Sequence, residues 1–508
     1  MNVQDLAPSF TLPAGELDDA ALLDAVLALR AAVLKGAAPL AARFAAAAER
    51  EEPALVNLAH YLSLRHHDLR DLQRQLMRRG LSSLGRLESR VLPTLDAVIA
   101  ALATLAGRPA PFPAPDGATF FAGEARLDGA SATSFGPEPA DRYTRIMVTL
   151  PSEAAGDPDY VMNLARHGMD VARINCAHDD AEAWRAMAAH VRAAGAALGR
   201  PITVLMDIAG PKIRTGAVLP VSKKGKPSGK LMTGDLVRLV AEGAPRTGSG
   251  VDFAAAVSLP EIVTRLRVGD RVLYDDGKVS GVVESVGDGE AVIRIVHARA
   301  QGTKLKPEKG INLPDTPLGL SPLTAKDDAD LATVLECADM LGYSFVSRAQ
   351  DLDLLDAAIA RHGRNDREGR PLGLMAKIER PEAVRNLPDL IARAARSGPF
   401  SVMIARGDLA AEIGFERLAE MQEELLWICE AAAVPAIWAT QVLEDLVRDG
   451  IPSRGEMTDA AMAARAECVM LNKGPAVIEA IDLLDRLLGR MAGHLDKKTP
   501  TLRALKSW

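Results

Sequence analysis

The segment GLMAKIE, residues 373–379, starts as an apolar run and ends in the charged residues Lys377 and Glu379. A short apolar run of this kind is typical of a buried parallel strand, so the two charges follow at its carboxyl end. The segments SVMIARGD (401–408) and PAIWAT (435–440) repeat the pattern and end in an aspartate and a threonine. Because a barrel of parallel strands builds its active site at the carboxyl edge, the three segments predict one shared site there.

The polar residues at these strand ends suit phosphoryl transfer or enolate chemistry. Lys377 lies in an apolar run, where a lysine is costly unless it is paired, and its charge can stabilise a transferring phosphoryl group. Mg²⁺ usually takes one or two carboxylates, so Glu379 and Asp408 are the predicted metal ligands. The helix start predicted at Gly407 offers free N–H groups to a substrate carboxylate. Thr440 adds a hydroxyl. The competing interpretations are structural: a paired lysine, loop carboxylates, and a threonine that caps the next helix.

Strand patterns that alternate with helical patterns over residues 141–216 and 313–492 predict a (β/α)8 barrel of the α/β class. Between its third and fourth strands, residues 217–312 are rich in Gly, Val and Asp with short strand patterns, which predicts an inserted small all-β domain interpreted as a lid. The eight predicted strands are RIMVTL (145–150), DVARIN (170–175), ITVLMD (202–207), YSFVS (343–347), GLMAK (373–377), SVMIA (401–405), PAIWA (435–439) and CVMLN (468–472).

The chain before the barrel has a different character. Residues 1–106 are rich in Ala, Leu, Arg and Glu with apolar positions at helical spacing, which predicts an N-terminal helical region. Residues 107–140 are rich in Pro, Gly, Ala and Ser, which predicts a linker. The helical region is a candidate oligomerisation element, regulatory module or surface cover, so a homo-oligomer is a possible assembly.

Composition narrows the class of protein. A net charge of −7 and a pI near 5.8 argue against nucleic acid or an anionic membrane as the main partner. The four cysteines form no CxxC motif, so neither a zinc site nor a disulfide framework is predicted. The first residues lack the basic and apolar regions of a signal peptide, and no apolar run reaches about 18 residues. These features predict a cytoplasmic protein without a membrane span.

Seven longer motifs carry a family resemblance. They are VARINCAH (171–178), MDIAGPKIRTG (206–216), KGINLP (309–314), AKIERPEAV (376–384), ARGDLAAEI (405–413), ATQVLE (439–444) and PSRGEMTDAA (452–461). Together with a barrel interrupted after strand three, they resemble the pyruvate kinase family over about residues 141–490. The resemblance implies a glycolytic kinase that converts phosphoenolpyruvate and ADP to pyruvate and ATP, with Mg²⁺, or alternatively Mn²⁺, as the metal cofactor.

The resemblance also implies residue roles. The transferred phosphoryl group and the enolate contact Arg173 and Lys377, and Thr440 is linked to enolate protonation, so these three are the expected catalytic residues. The phosphoenolpyruvate site is completed by Gly407 and Asp408, and Glu379 and Asp408 bind the metal. The expected nucleotide-binding residues are Asn175, His178, Arg214 and Lys309.

A monovalent-cation site is altered relative to the family. Many members bind K⁺ with an Asn, a Ser, an Asp and a Thr carbonyl, with a glutamate close by. Here Asn175 and Asp207 remain, the serine and threonine positions are Ala177 and Ile208, and the glutamate position is Lys212. A lysine ammonium is a compact monovalent cation on a flexible stem. We therefore expect that Lys212 replaces K⁺ and that K⁺ is not required.

Other departures keep two further functions open. The turn TLPSEA (149–154) lacks the family's glycine, residues 472–475 are Asn-Lys-Gly-Pro where the family has Ser-Gly-Glu-Thr, and the family's usual C-terminal α/β domain is expected to be lacking. One alternative is a metal-dependent lyase or aldolase acting on pyruvate or oxaloacetate, which the lid and Lys377 disfavour. The other is a catalytically weak regulator, which the retained site residues disfavour.

Overall fold

The computed structural model of the protein describes residues 15–220, 229–248, 250–363 and 371–500. No helix in these ranges is long and apolar enough to cross a membrane. The described chain opens with helices α1 (Asp19–Ala48), α2 (Pro53–Arg65), α3 (Arg70–Arg78), α4 (Val91–Leu105) and α5 (Gly117–Phe135).

The longest of these helices has a clear start and a buried stripe. Asp18 caps α1, because its Oδ1 accepts a hydrogen bond from the Ala21 backbone N–H at 2.8 Å. Leu22, Val26 and Leu29 recur at helical spacing and are fully buried. The expected N-terminal helical region is confirmed over its described part.

The barrel starts with three strands that are buried on both faces, which explains their continuous apolar sequences. They are β1 (Arg145–Thr149), β2 (Val171–Asn175) and β3 (Thr203–Asp207), separated by α6 (Pro158–Arg166) and α7 (Ala181–Leu198).

A second sheet with its own hydrophobic core follows β3. Its strands are β4 (Thr215–Pro220), β5 (Lys230–Leu231), β6 (Leu236–Val240), β7 (Phe253–Val257), β8 (Arg271–Tyr274), β9 (Val279–Gly287), β10 (Glu290–His297), β11 (Thr303–Lys304) and β12 (Ile311–Asn312). Seven of them pair in the order β12-β8-β9-β10-β6-β7-β4, and β11 pairs with β5. The predicted β insertion after strand three is confirmed. Its boundaries at 217 and 312 and its role as a lid stay predictions.

The chain then completes the barrel with β13 (Met340–Tyr343), β14 (Gly373–Ile378), β15 (Phe400–Ala405), β16 (Ala436–Ala439) and β17 (Cys468–Leu471). The accompanying helices are α8 (Ala325–Cys337), α9 (Ala349–His362), α10 (Pro381–Ala394), α11 (Arg406–Ile413), α12 (Phe415–Ala431), α13 (Glu444–Asp449), α14 (Arg454–Ala463) and α15 (Val477–Ala492). A short hairpin follows, β18 (Leu495–Asp496) and β19 (Thr499–Pro500).

Eight parallel strands close into a ring in the order β1-β17-β16-β15-β14-β13-β3-β2, which confirms the predicted barrel. Because β14, β15 and β16 are neighbours, Lys377, Asp408 and Thr440 emerge side by side at one edge. The polar residues that follow separate strands in the sequence are therefore brought together at the carboxyl edge of the barrel.

The position predicted for the fourth strand, 343–347, is wrong. The strand is Met340–Tyr343, and Ser344 and Phe345 already belong to a turn. Phe345 has a φ of 58°, which a strand cannot accommodate. An apolar run that continues past the strand end misleads a periodicity argument, and the turn places two groups in the site described below.

The N-terminal helices share one hydrophobic core with the barrel. Helix α1 packs on α10 and α2 packs on α12. Across the second contact, Asn57 Nδ2 donates a hydrogen bond to Ala431 O at 2.8 Å, and the Arg65 guanidinium lies 4.7 Å from the centroid of the Trp427 ring. Of the three roles considered for this region, the packing favours a surface cover.

The expected linker at 107–140 contains helix α5 instead of irregular chain throughout. Asp116 caps this helix by accepting a hydrogen bond from the Thr119 backbone N–H at 2.7 Å. At its other end Phe135 is 1% exposed and packs with side chains of the barrel interior such as Val171 and Met340. Local composition favours a linker, but capping and burial of one face override weak helix propensity.

We expect that a truncated protein beginning near residue 140 aggregates or loses solubility. Without the N-terminal helices, the apolar faces of α10 and α12 and the site of Phe135 become exposed. Size-exclusion chromatography and binding of a hydrophobic dye measure the change. A soluble truncated protein of the same oligomeric state would contradict the covering role.

Candidate active site

Lys377 lies at the centre of the carboxyl edge of the barrel. Its Nζ is 2.8 Å from Glu379 Oε1 and 3.6 Å from Asp207 Oδ2, and it donates a hydrogen bond to Ser344 Oγ at 2.9 Å. Burial alone would lower the pKa of Lys377, but the Asp207 and Glu379 carboxylates raise it above its ordinary value. The ammonium therefore stays charged although its side chain is only 14% exposed.

Asp207 joins Lys377 to a second cation, Arg173. Arg173 Nε donates to Asp207 Oδ2 at 3.0 Å, and its Nη1 donates to Thr149 Oγ1 at 3.0 Å. Burial acts to raise the pKa of Asp207, but Lys377 and Arg173 hold it below its ordinary value. One ionised carboxylate thus orients two cations, and the trio keeps a net positive charge beneath the open edge of the barrel.

Glu379 is held from its other side by the turn after β13. Its Oε2 accepts a hydrogen bond from the Phe345 backbone N–H at 2.9 Å. The turn leaves no room at Gly210, where an added Cβ would lie 2.8 Å from Phe345 Cδ2. Burial raises the pKa of Glu379, Lys377 opposes that shift, and the nearby Asp408 carboxylate adds to it.

Asp408 is paired with Lys212. The Lys212 Nζ donates to both carboxylate oxygens of Asp408, at 2.9 and 3.1 Å. Burial acts to raise the pKa of Asp408, but Lys212 keeps it below its ordinary value. The residue expected to replace K⁺ therefore contacts an expected metal ligand. The two retained K⁺ positions are engaged elsewhere: Asp207 with Arg173, and Asn175 Oδ1 with the Ala177 backbone N–H at 3.1 Å.

The pair Glu379 and Asp408 fits a magnesium-type cation. No group of three or more His, Cys, Asp or Glu side chains suited to a metal occurs among the described residues, so a cage built of protein alone is not formed there. Mg²⁺ does not need one, because it usually binds one or two carboxylates and completes its shell with water and substrate phosphate. The two carboxylates are near enough that Asp408 raises the pKa of Glu379, and a divalent cation would relieve that repulsion.

Thr440 does not cap the following helix. Helix α13 begins at Glu444, and its capping position is Leu443. Instead Thr440 has a φ of 73°, an unusual conformation for a β-branched residue that costs about 1–3 kcal/mol. Its side chain packs against Gly407, where an added Cβ would lie 2.8 Å from Thr440 Cγ2. The structure thus brings together the hydroxyl residue and the helix start that the sequence assigns to substrate.

Two of the expected nucleotide residues, Arg214 and Lys309, lie beside the inserted sheet. Arg214 Nη1 donates to Glu308 O at 3.3 Å, and Lys309 Nζ is 3.1 Å from Asp275 Oδ1, so both lie at the base of that sheet. His178 is exposed, and its pKa is lowered by partial burial and by the cations Lys473 and Arg214. Arg214 therefore lies near enough to affect His178, while the Lys309 ammonium is paired with a carboxylate of the inserted sheet.

Sequence reasoning missed three contributors to this site. Ser344 bonds Lys377, and the Thr149 hydroxyl bonds Arg173. Asn312, in the KGINLP motif, donates a hydrogen bond to Glu412 Oε1 at 3.4 Å, and its side chain helps to lower the pKa of Asp408. Each is a polar residue at or just past the end of a strand, a signal that in the sequence pointed only to charged residues and to Thr440.

Comparisons with known proteins agree with this geometry. A family model described as pyruvate kinase, barrel domain, matches residues 141–477. A pyruvate kinase of Corynebacterium efficiens is 32% identical over 367 residues, covering 71% of this chain and 72% of the relative. One of Agrobacterium vitis is 34% identical over 367 residues, covering 70% and 69%. The solved structure of a pyruvate kinase from Cryptosporidium parvum has a TM-score of 0.60 and 26% identity, covering 72% of this chain and 73% of that one. The chain therefore belongs to the pyruvate kinase family of phosphate-transferring enzymes.

Proposed function

We propose that the chain transfers the phosphoryl group of phosphoenolpyruvate to ADP, giving pyruvate and ATP in the cytoplasm. The observation that carries the proposal is the position of Lys377, charged and nearly buried, between Asp207 and Glu379 at the carboxyl edge of the barrel. In the step proposed, the bond between the enol oxygen and phosphorus breaks as a β-phosphate oxygen of ADP bonds to phosphorus. The enolate left behind then takes a proton at its methylene carbon.

Arg173 and Lys377 are the proposed cations for this transfer. Phosphoryl transfer needs positioning and electrostatic stabilisation more than covalent help. Asp207 bonds Arg173 and lies 3.6 Å from Lys377, so both cations are oriented before substrate arrives. Preorganised charge of this kind stabilises the developing negative charge without reorganisation during the reaction.

Glu379 and Asp408 would hold Mg²⁺, or Mn²⁺ in its place. When bound, the ion supplies positive charge to the phosphate and enolate oxygens. Glu379 is buried and Asp408 is half-buried, and both are already oriented: Glu379 by the Phe345 N–H and the Lys377 ammonium, and Asp408 by the Lys212 ammonium. An acceptor-only carboxylate retains lone pairs for a cation after accepting such a bond.

Substrate orientation and proton transfer are proposed for the adjacent strand ends. The free N–H groups around Gly407 and Asp408, at the start of α11, suit the carboxylate of phosphoenolpyruvate. Thr440 packs on Gly407, which supports its assignment to enolate protonation. The residues Asn175, His178 and Arg214, together with Lys309, are proposed to bind the nucleotide phosphates.

A coupled assay tests the proposal directly. Purified protein with phosphoenolpyruvate, ADP and Mg²⁺ should form ATP and pyruvate in equal amounts, with no ATP when either substrate is omitted. Cleavage of oxaloacetate without ATP formation would instead indicate a lyase. Absence of both activities in folded protein would indicate the regulator.

We further propose that K⁺ is not required, because Lys212 supplies the monovalent positive charge. Activity in sodium or tetramethylammonium buffer should match that in potassium at equal ionic strength. Lys212→Glu should lower turnover by about 10²-fold, since it removes the ammonium from Asp408 and adds a repelling carboxylate. K⁺ should restore the variant only in part, because Ala177 offers no hydroxyl ligand.

The same charge reversal on the inserted sheet, Lys230→Glu, is the matched control and should leave turnover unchanged. Lys230 lies in the two-stranded β5–β11 pair, and its Nζ donates a hydrogen bond to Gln301 O at 3.3 Å, so these contacts lie within the inserted domain. Strong stimulation of the unmodified protein by K⁺ would refute the replacement.

A further inference from the structure

The loop after β16 is held by a side chain that the proposed mechanism does not use. Arg406, the first residue of α11, is 9% exposed. Its Nε donates a hydrogen bond to Ala439 O at 3.0 Å, and its Nη2 donates to Thr440 O at 2.6 Å. These two carbonyls belong to the peptide units on either side of Thr440. A single guanidinium therefore fixes the backbone before and after this residue.

Asp459, from helix α14, holds Arg406 in turn. Arg406 Nη2 donates to Asp459 Oδ2 at 2.8 Å, and Nη1 donates to Asp459 Oδ1. The guanidinium also lies 4.6 Å from the centroid of the buried Trp438 ring. A two-pronged arginine–carboxylate pair fixes the plane of the guanidinium as well as its position. Four of its five N–H donors are then committed to Asp459 and the loop.

The loop requires such support because its backbone is strained. Thr440 and Gln441 have φ values of 73° and 60°, in the left-handed region that a β-branched residue rarely adopts. A conformation of this kind persists only where surrounding contacts over-determine it. The Thr440 side chain packs on Gly407, the residue next to Arg406. The start of α11 thus contacts both parts of Thr440: the Arg406 guanidinium bonds the backbone on either side of it, and Gly407 packs against its side chain.

We propose that Arg406 and Asp459 are a positioning pair that fixes Thr440 against the start of α11. The proposal rests on the proposed function for the role of Thr440 in enolate protonation, while the anchoring rests on the contacts themselves. Neither member of the pair is assigned to substrate or metal by its side chain. Both residues affect turnover only by fixing the position of Thr440.

Asp459→Asn removes the charge and turns one acceptor into a donor facing the guanidinium. We expect turnover to fall by about 10- to 100-fold, the scale of a misplaced reacting group, with the KM for ADP changed less than about 2-fold. Amide exchange over residues 439–443, followed by mass spectrometry, should become about tenfold faster. Arg406→Lys, which keeps the charge and loses the fork, should act in the same direction.

Asp356→Asn is the matched control. Asp356 pairs with Arg393 Nη2 at 2.7 Å between α9 and α10, outside the site. It should alter neither turnover nor exchange at residues 439–443.

A double-mutant comparison separates positioning from general destabilisation. In a Thr440→Ala background, Asp459→Asn should lower the remaining turnover by less than about 2-fold, because both changes act through one group. An equal loss in both backgrounds, or unchanged amide exchange in both pair variants, would overturn the proposal. If the unmodified protein makes no ATP from phosphoenolpyruvate and ADP, the proposed function fails, and amide exchange alone decides whether the pair anchors the loop.

Discussion

Replacing Lys377 with methionine is expected to lower the rate of ATP formation by about 10³-fold or more, since it removes one of the two cations proposed to stabilise the transferred phosphoryl group. Methionine keeps the unbranched shape of lysine, so the side chain still fills its place in β14. Turnover is measured with phosphoenolpyruvate and ADP at saturating Mg²⁺. Lys230→Met, which removes a half-buried lysine of the inserted domain, should keep normal turnover. Turnover near that of the unmodified protein in Lys377→Met would exclude the mechanism.

Lys377→Met should also lower the free energy of unfolding, by more than the position of a lysine at a strand end in the sequence would suggest. Lys377 contacts two buried carboxylates, and removing one partner of a buried pair costs about 3–5 kcal/mol. Without the ammonium, the pKa of Glu379 rises further above its unfolded value of 4.5. The folded variant then binds a proton that the unfolded chain releases, so stability falls as pH rises above that value. The variant's free energy of unfolding, measured with denaturant, should therefore fall short of that of the unmodified protein by less at about pH 5 than at about pH 8.

Replacing Glu379 with glutamine should weaken divalent-metal binding by about 100-fold or more. Loss of a group that merely orients a ligand costs 10- to 100-fold, and loss of a ligand costs at least as much. Binding of Mn²⁺ is measured directly by electron paramagnetic resonance, and the Mg²⁺ concentration for half-maximal activity should rise in parallel. Asp408→Asn should behave similarly and should also release Lys212.

Glu412→Gln is the control for this prediction. Glu412 is a half-buried carboxyl on α11, one helical turn beyond Asp408, and it accepts a hydrogen bond from Asn312. The same substitution there should change Mn²⁺ affinity by less than about 3-fold. Unchanged Mn²⁺ affinity in Glu379→Gln would rule out its role as a metal ligand.

Much of the fold is determined locally and is therefore visible in the sequence. Strands buried on both faces appear in the sequence as apolar runs, and the active site of such a barrel lies at the carboxyl ends of its strands. The polar residues that end these runs, Lys377, Glu379, Asp408 and Thr440, could therefore be identified from the sequence. The β insertion is visible because its sheet exposes one face and alternates. Where a run continued into a turn, at Phe345, the same reasoning failed.

Only the tertiary structure determines which side chains of the site contact one another. The pairing of Lys212 with Asp408, the bond from Ser344 to Lys377, and the pair Arg406–Asp459 join segments far apart in the chain. Closure of the barrel sets those distances, and no local pattern encodes them. The helix α5 and the packing of the N-terminal region on α10 and α12 have the same cause. Burial of a shared apolar face, which depends on the partner surface, outweighed the local preference of a Gly- and Pro-rich segment.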